Sequence, residues 1–306
     1  LPRLLRPRAL PPGGTLGIAA PAGPVDPERL EAGCRLWREA GYRVVYGEDL
    51  RARRGYLAGD DARRARELAR LWADPEVDAI VCARGGYGCH RIVGRLDAEA
   101  VRAARKPLVG YSDITTLLLW QRRAAGLMGF HGPMLERGGE LAPPAFRALV
   151  DALAGAGPTR VCLAGTGHGG GRARGRLLGG SLAVLAASLG TPWEPSTRGA
   201  ILLLEDVNER PFRIDRCLAQ LRAAGKLEGI AGLGAGGLVG CTDPRYPEPG
   251  ARAVVLEAAA DLGVPVVTDL PFGHVDGNRA WPVGARAEID GERGEITLLE
   301  RGVESR

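Results

Sequence analysis

Lysine is nearly absent from this 306-residue chain: of 41 basic side chains only Lys106 and Lys226 are lysines, so the formal charge of +5 rests on arginine. Neither lysine has a serine three positions before it, which excludes a Ser-x-x-Lys hydrolase. The arginines are interleaved with acids, as in Arg63-Arg64-Ala-Arg66-Glu67 and Asp215-Arg216, so the charge is no sign of a nucleic-acid partner and none is expected. Six cysteines at 34, 82, 89, 162, 217 and 241 contain no C-x-x-C pair, and they read as reduced core thiols of a cytoplasmic protein rather than disulfides or zinc ligands. No window approaches the ~20 apolar residues of a membrane span, and no membrane partner is expected. The opening Leu1-Pro-Arg-Leu-Leu-Arg-Pro-Arg8 is charged and proline-broken, unlike a signal peptide, although a start without Met leaves a removed leader open. There is no H-E-x-x-H for a zinc peptidase and no G-x-x-x-x-G-K-[ST] for a P-loop.

What remains is ordinary globular composition, 45% hydrophobic and 25% charged, in a chain long enough for two domains. Thr15–Ala20, Tyr42–Tyr46 and Val77–Ala83 read as strands. Asp26-Pro27 starts a helix that turns Leu30, Cys34, Trp37 and Ala40 inward, and Asp60-Asp61 starts another with Ala65, Leu68, Ala69 and Trp72 on its inner face. Such alternation predicts an α/β fold, a parallel sheet wrapped by helices, with ligands at the carboxyl ends of its strands. A further helix is expected over 143–154. Residues 164–175 are the most linker-like stretch, which divides the chain into 1–160, a glycine-rich linker 161–175 and a smaller, more β-rich domain 176–306. The cluster Gly232-Leu-Gly234-Ala-Gly236-Gly237 formally contains G-x-G-x-x-G, but it precedes an apolar run instead of opening a helix, so a dinucleotide site is rejected. In the second half Ala200–Leu204 and Val264–Thr268 read as strands, and a helix from Pro211 carries Phe212, Ile214, Cys217, Leu218 and Leu221.

The stretch Pro107-Leu-Val-Gly-Tyr-Ser112-Asp-Ile-Thr-Thr-Leu-Leu-Leu119 runs from a buried strand through a tight turn into a helix with an acidic first turn. Ser112 would stand at the carboxyl end of that strand beside the first helical amides, where it is either a nucleophile or an ordinary helix N-cap. Ile114 occupies the place of the second glycine of a G-x-S-x-G elbow. One unit earlier, Arg84-Gly-Gly-Tyr-Gly88 is either a flexible turn or a loop that brings a backbone N–H close to a substrate. Of four histidines, His168 lies in the glycine-rich stretch and reads as solvated, and His90 reads as a packing or capping residue. His131 ends a strand, His274 sits in a Gly-His-Val-Asp-Gly-Asn loop at the end of an apolar strand, and both are candidate bases. Glu205 also ends an apolar strand, where a carboxylate needs a partner such as an imidazole N–H. The order Ser112, Glu205, His274 is one used by serine hydrolases.

Several blocks together resemble the murein tetrapeptide LD-carboxypeptidases, serine peptidases that include the microcin C self-immunity peptidases. They are Ala83-Arg-Gly-Gly-Tyr-Gly88, Val109-Gly-Tyr-Ser-Asp-Ile114, His131-Gly-Pro133, Leu177-Leu-Gly-Gly-Ser-Leu182, Leu204-Glu-Asp-Val207, Arg213-Ile-Asp-Arg216, Leu270-Pro-Phe-Gly-His274 and Pro282-Val-Gly284, in the family's order over roughly 14–300. The resemblance implies a flavodoxin-like amino-terminal domain and a smaller swivelling β/α carboxy-terminal domain. It further implies a cytoplasmic homodimer with no metal or cofactor, acting in peptidoglycan recycling. Its substrate would be a murein tetrapeptide, cut at an L-D peptide bond to release D-alanine. Ser112 would then be the nucleophile, His274 the base and Glu205 its orienting acid, with the amides of Gly86 and Asp113 as the oxyanion hole. Arg84, Tyr87 and Arg210 are candidate substrate contacts, the arginines because a carboxypeptidase must bind a free carboxylate. Ser181 stands where the family usually has Asn, and Phe212 where Tyr is common. Two other readings are an amidase acting on aminoacyl nucleotides, against which the lack of Trp between Glu205 and His274 speaks, and a non-catalytic peptide-binding module.

Overall fold

The computed structural model describes residues 4–138, 143–158 and 160–304. The chain forms two compact units, one of Leu1–Gly157, Ala280–Pro282 and Arg301–Arg306, the other of Pro158–Arg279 and Val283–Glu300. Each is an α/β unit built on one sheet. Among the described residues no helix is long and apolar enough to cross a membrane.

In the first unit β1 (Thr15–Ala19), β2 (Arg43–Val45), β3 (Ala79–Cys82), β4 (Leu108–Gly110) and β5 (Gly129–His131) pair in parallel in the order β2-β1-β3-β4-β5. A late strand, Trp281–Val283, adds to the β5 edge. The order reverses between β1 and β3, where strands of an open parallel sheet part at their carboxyl ends and leave a crevice for ligands. Helix Pro27–Glu39 starts because the Asp26 carboxylate accepts the Glu28 and Arg29 N–H groups and Pro27 needs no partner, a cap worth about 1 kcal/mol. It buries Leu30, Cys34 and Trp37, and the Trp37 ring meets Tyr42 and Phe146 edge-on at 5.5 and 4.9 Å. Ala40 lies past the last turn and is exposed. Helix Asp61–Ala73 departs from expectation: Ala69 faces solvent, while Arg63, Arg64 and Glu67 are buried.

The second unit holds β6 (Cys162–Ala164), β7 (Thr166–Gly167), β8 (Arg172–Ser181), β9 (Ala200–Val207), β10 (Gly232–Val239) and β11 (Val266–Thr268). With Trp281–Val283 counted as β12, β13 (Arg286–Asp290) and β14 (Glu295–Leu298) complete it. The sheet is mixed, ordered β6-β14-β13-β8-β9-β10-β11-β7, with β8 to β11 parallel and the flanking strands antiparallel.

Two glycine-rich stretches behave differently from their composition. Residues 161–175, expected as a linker, contribute β6, β7 and the start of β8. A Cβ on Gly167 would lie 2.3 Å from the Gly291 carbonyl oxygen, so glycine there permits close backbone approach rather than flexibility. The Gly232–Gly237 cluster is likewise the strand β10 itself, and a Cβ on Gly234 would meet the Leu203 side chain at 2.5 Å. Phe212 is 45% exposed, and Cys162, expected in the core, is exposed on an edge strand.

Candidate active site

In the first unit β4 ends at Gly110, Tyr111 is extended, and Ser112 takes φ +60° before a single 3-10 turn leads into helix Thr115–Trp120. A non-glycine residue in the left-handed region at a strand-to-helix turn is strained, by roughly 1 kcal/mol or more, and lifts its side chain clear of the sheet. Ile114 fits because Gly110 leaves room for it: a Cβ on Gly110 would lie 2.7 Å from Ile114 Cγ2. The loop after β3 lies against the serine, since a Cβ on Gly85 would be 2.9 Å from Ser112 Oγ. Gly86 follows at φ +121°, and the Gly23 N–H donates to the Gly85 carbonyl at 3.0 Å. The Asp113 carboxylate is buried and accepts the Cys89 N–H at 2.8 Å.

Sequence reasoning missed the group that braces the neighbouring loop after β1. Arg63 Nη1 donates to the Ala20 and Ala58 carbonyls, Arg64 Nη1 to the Pro21 carbonyl, and Glu67 Oε2 accepts the Ala20 N–H at 2.7 Å. Burial pushes the Glu67 carboxyl up to about 7 against the opposing pull of Arg63. The available signal was Arg63 and Glu67 four residues apart on one helix, a spacing that usually marks a solvated pair.

In the second unit Glu205 is fully buried near the end of β9, and its Oε2 lies 2.7 Å from His274 Nδ1. His274 follows β11 after Asp269, itself at φ +57°, turns the chain. Gly273 has φ +96°, and a Cβ there would come within 2.6 Å of Glu205 Oε2, so the residue before the histidine has to be glycine for imidazole and carboxylate to meet. Its N–H donates to Asn278 Oδ1 at 3.1 Å, and the Gly237 N–H donates to the Phe272 carbonyl at 3.0 Å, holding the loop on β10. A carboxylate on Nδ1 is the arrangement of an acid-oriented base, in which Nε2 is the nitrogen that exchanges the proton. A cleft of about 720 Å³ opens beside this loop at the carboxyl ends of β10 and β11, lined by Gly236, Gly237, Thr268, Asp269 and Val275.

The neighbouring Asp206, one position on in β9, falls on the opposite face of the strand. Its two oxygens accept the Ala183 and Val207 N–H groups at 2.8 and 2.9 Å, the first at the start of helix Leu182–Ala187. Burial pushes its carboxyl from 3.8 up to about 6. Between these values the folded state holds a proton that the unfolded chain has released, so this group's stabilisation is complete below pH 3.8 and is lost as pH rises through about 6. Asp206→Asn removes that loss. The melting temperature of the variant relative to wild type is expected to rise by several degrees from pH 5 to pH 7.5 in calorimetric scans.

The other expected site residues divide. His131 is not available as a base: it is fully buried, stacked on Trp281 at 4.9 Å and close to the Tyr111 ring at 5.8 Å. His90 meets Thr116 Oγ1 at 2.9 Å, and His168, expected in solvent, meets Thr268 Oγ1 at 2.8 Å. Arg84 is 42% exposed, donates to the Pro24 carbonyl and lies 3.9 Å from Glu136. Tyr87 is half-exposed and meets Tyr56 edge-on at 5.6 Å. Arg210 lies 3.8 Å from Asp243, whose carboxyl is held down to about 2, chiefly by the Arg245 guanidinium. Among the described residues no three His, Cys, Asp or Glu side chains gather as a metal site.

The LD-carboxypeptidase N-terminal domain matches residues 16–132 and the LD-carboxypeptidase C-terminal domain residues 174–289. A putative carboxypeptidase of Streptomyces coelicolor is 43% identical, covering 96% of each chain. The murein tetrapeptide carboxypeptidase of Pseudomonas aeruginosa is 34% identical over 92% of this chain and 95% of its own. Among solved structures, the complex of MccF with glutamyl sulfamoyl guanosine has the same fold, with a TM-score of 0.89, covering 98% of this chain and all of the other at 22% identity.

Proposed function

Because the chain belongs to the LD-carboxypeptidase family, and is thereby a serine hydrolase of peptide-like substrates, we propose that it releases the terminal D-alanine of murein tetrapeptides. The observation that carries the hydrolase chemistry is the buried Glu205 holding His274 at 2.7 Å, together with a strained Ser112 pressed against a glycine loop, and the choice of a murein substrate draws on the 34% identical murein tetrapeptide carboxypeptidase of Pseudomonas aeruginosa. On this reading Ser112 Oγ attacks the carbonyl of the L-D bond while His274 Nε2 takes its proton, and Glu205 holds Nδ1–H and stabilises the imidazolium. The oxyanion accepts hydrogen bonds from the Gly86 and Asp113 amides. The C–N bond breaks as the imidazolium returns the proton to the leaving amine, D-alanine departs, and water frees the acyl-enzyme by the same path. Arg84 and Arg210, with Tyr87, are assigned to the substrate's free carboxylate and its surroundings. The amino-terminal sheet is read as flavodoxin-like from its strand order, and the second unit as the family's swivelling domain.

A second reading, an amidase acting on aminoacyl nucleotides or related peptide conjugates, draws on two observations. One is the likeness in fold to MccF bound to glutamyl sulfamoyl guanosine. The other is that Phe212 and Tyr246, 45% and 66% exposed, offer aromatic faces for a base in a stretch that lacks Trp. Both substrates present an acyl carbon to the same serine. Incubation with tetrapeptides carrying diaminopimelate or lysine, and in parallel with an aminoacyl sulfamoyl nucleoside, separates them by the amino acid released. D-alanine from a tetrapeptide is the expected product. Cleavage of the nucleoside conjugate alone would replace the first reading by the second, and no cleavage of either would overturn both.

A further inference from the structure

We infer that the Asp113 carboxylate is a positioning residue that fixes the two backbone donors of the oxyanion hole relative to each other; the inference rests on the hydrolase reading above. The backbone N–H of Asp113 is one of those donors, and its side chain reaches the loop that carries the other. Oδ2 accepts the N–H of Cys89, which directly follows Gly85–Gly88, at 2.8 Å across 24 positions of chain. That amide opens the short helix Cys89–Ile92, for which Gly88 supplies no side-chain cap, so Asp113 caps it from the nucleophile turn. The carboxylate is 4% exposed, and burial raises its pKa against hydrogen bonds from the Cys89 backbone and thiol. A buried acid is costly, and it is retained here where a local cap would have served the helix alone.

The geometry around it explains why a tether matters. Gly86 and Gly88 sit at φ +121° and +128°, backbone states with no side chain to hold them. Gly85 touches Ser112 from one side, and the Gly23 N–H on the Gly85 carbonyl holds its start. Asp113 supplies the restraint at the loop's far end. Without it the Gly86 amide is free to drift relative to the Asp113 amide, and a misplacement of about 1 Å in a catalytic arrangement costs about 10²-fold in rate.

The test compares wild type with Asp113→Ala and Asp113→Asn, whose amide oxygen still accepts the Cys89 N–H. It measures kcat and KM for D-alanine release and the rate at which a fluorophosphonate labels Ser112. The alanine variant is expected to lose about 10²-fold in kcat and in labelling rate with KM little changed, and the asparagine variant to stay within about tenfold of wild type. If the alanine variant does not fold, Asp113→Ser, too short to reach Cys89, carries the same expectation. Wild-type kcat and labelling in the shortened variant, a change confined to KM, or equal losses in asparagine and alanine would overturn the inference. Hydrogen exchange at the Gly86 and Cys89 amides tests the tether without substrate: it should accelerate at least about tenfold in the shortened variant and not in Asp113→Asn. Unchanged exchange overturns the inference even if the enzyme proves active. A wild type that neither labels nor cleaves, but shows the exchange difference, defeats the functional reading and leaves the tether standing.

Discussion

Ser112→Ala is expected to lower kcat for D-alanine release by about 10⁴-fold or more, leaving only the acceleration that donors and binding give without a nucleophile. Thermal stability should hardly move, and that contrast separates nucleophile from helix cap. Helix Thr115–Trp120 takes no side-chain cap hydrogen bond at Ile114, and the preceding turn takes none at Tyr111. Removing a hydroxyl that caps a helix would instead cost about 1 kcal/mol and several degrees in the melting temperature, with activity largely kept. The strain at φ +60° is common to serine and alanine, so it cancels in the comparison. Activity within tenfold of wild type would remove Ser112 from the chemistry.

Glu205→Gln should come next, with a loss of about 10³- to 10⁴-fold in kcat at little cost in folding. The amide is nearly the same size, but where the carboxylate accepts from His274 Nδ1 at 2.7 Å, the amide can present its own N–H. The imidazole then settles into the tautomer that carries its proton on Nε2, where it cannot take one from serine. Because Glu205 is fully buried, removing its charge also lifts a desolvation cost, so the variant should melt no lower than wild type. Loss of activity together with a large drop in melting temperature would point to a structural acid. Calorimetry and steady-state kinetics on the same preparation decide between the two.

Much of the framework could be read from residue order, because local physics and global fold agree there. Asp26-Pro27 and Asp60 are caps in both, and the strands of the first sheet are short apolar runs between helices. Glu205 is legible as a carboxylate in an apolar strand that needs a partner, and His274 as a histidine in the loop beyond another; they meet across 69 positions. Composition misled where the glycines of 161–175 were read as looseness. At Gly165, Gly167, Gly170 and Gly175 backbone or side-chain atoms crowd the position a Cβ would take, a fact of tertiary packing invisible along the chain. His131 misled for a related reason: its burial depends on Trp281, a ring 150 positions later. Arg63 and Glu67 look like surface charges until the Ala20 amide and carbonyl are seen to need them.

The return of Ala280–Pro282 and the final residues to the first unit bears on how such an enzyme can be dissected. A gene fragment ending near residue 157 would encode the serine and its glycine loop but omit the Trp281 indole packed on His131, exposing an apolar sheet edge. The two lobes are thus not modules that recombination could exchange at a single crossover. The serine lobe cannot be transplanted without sequence encoded long after it.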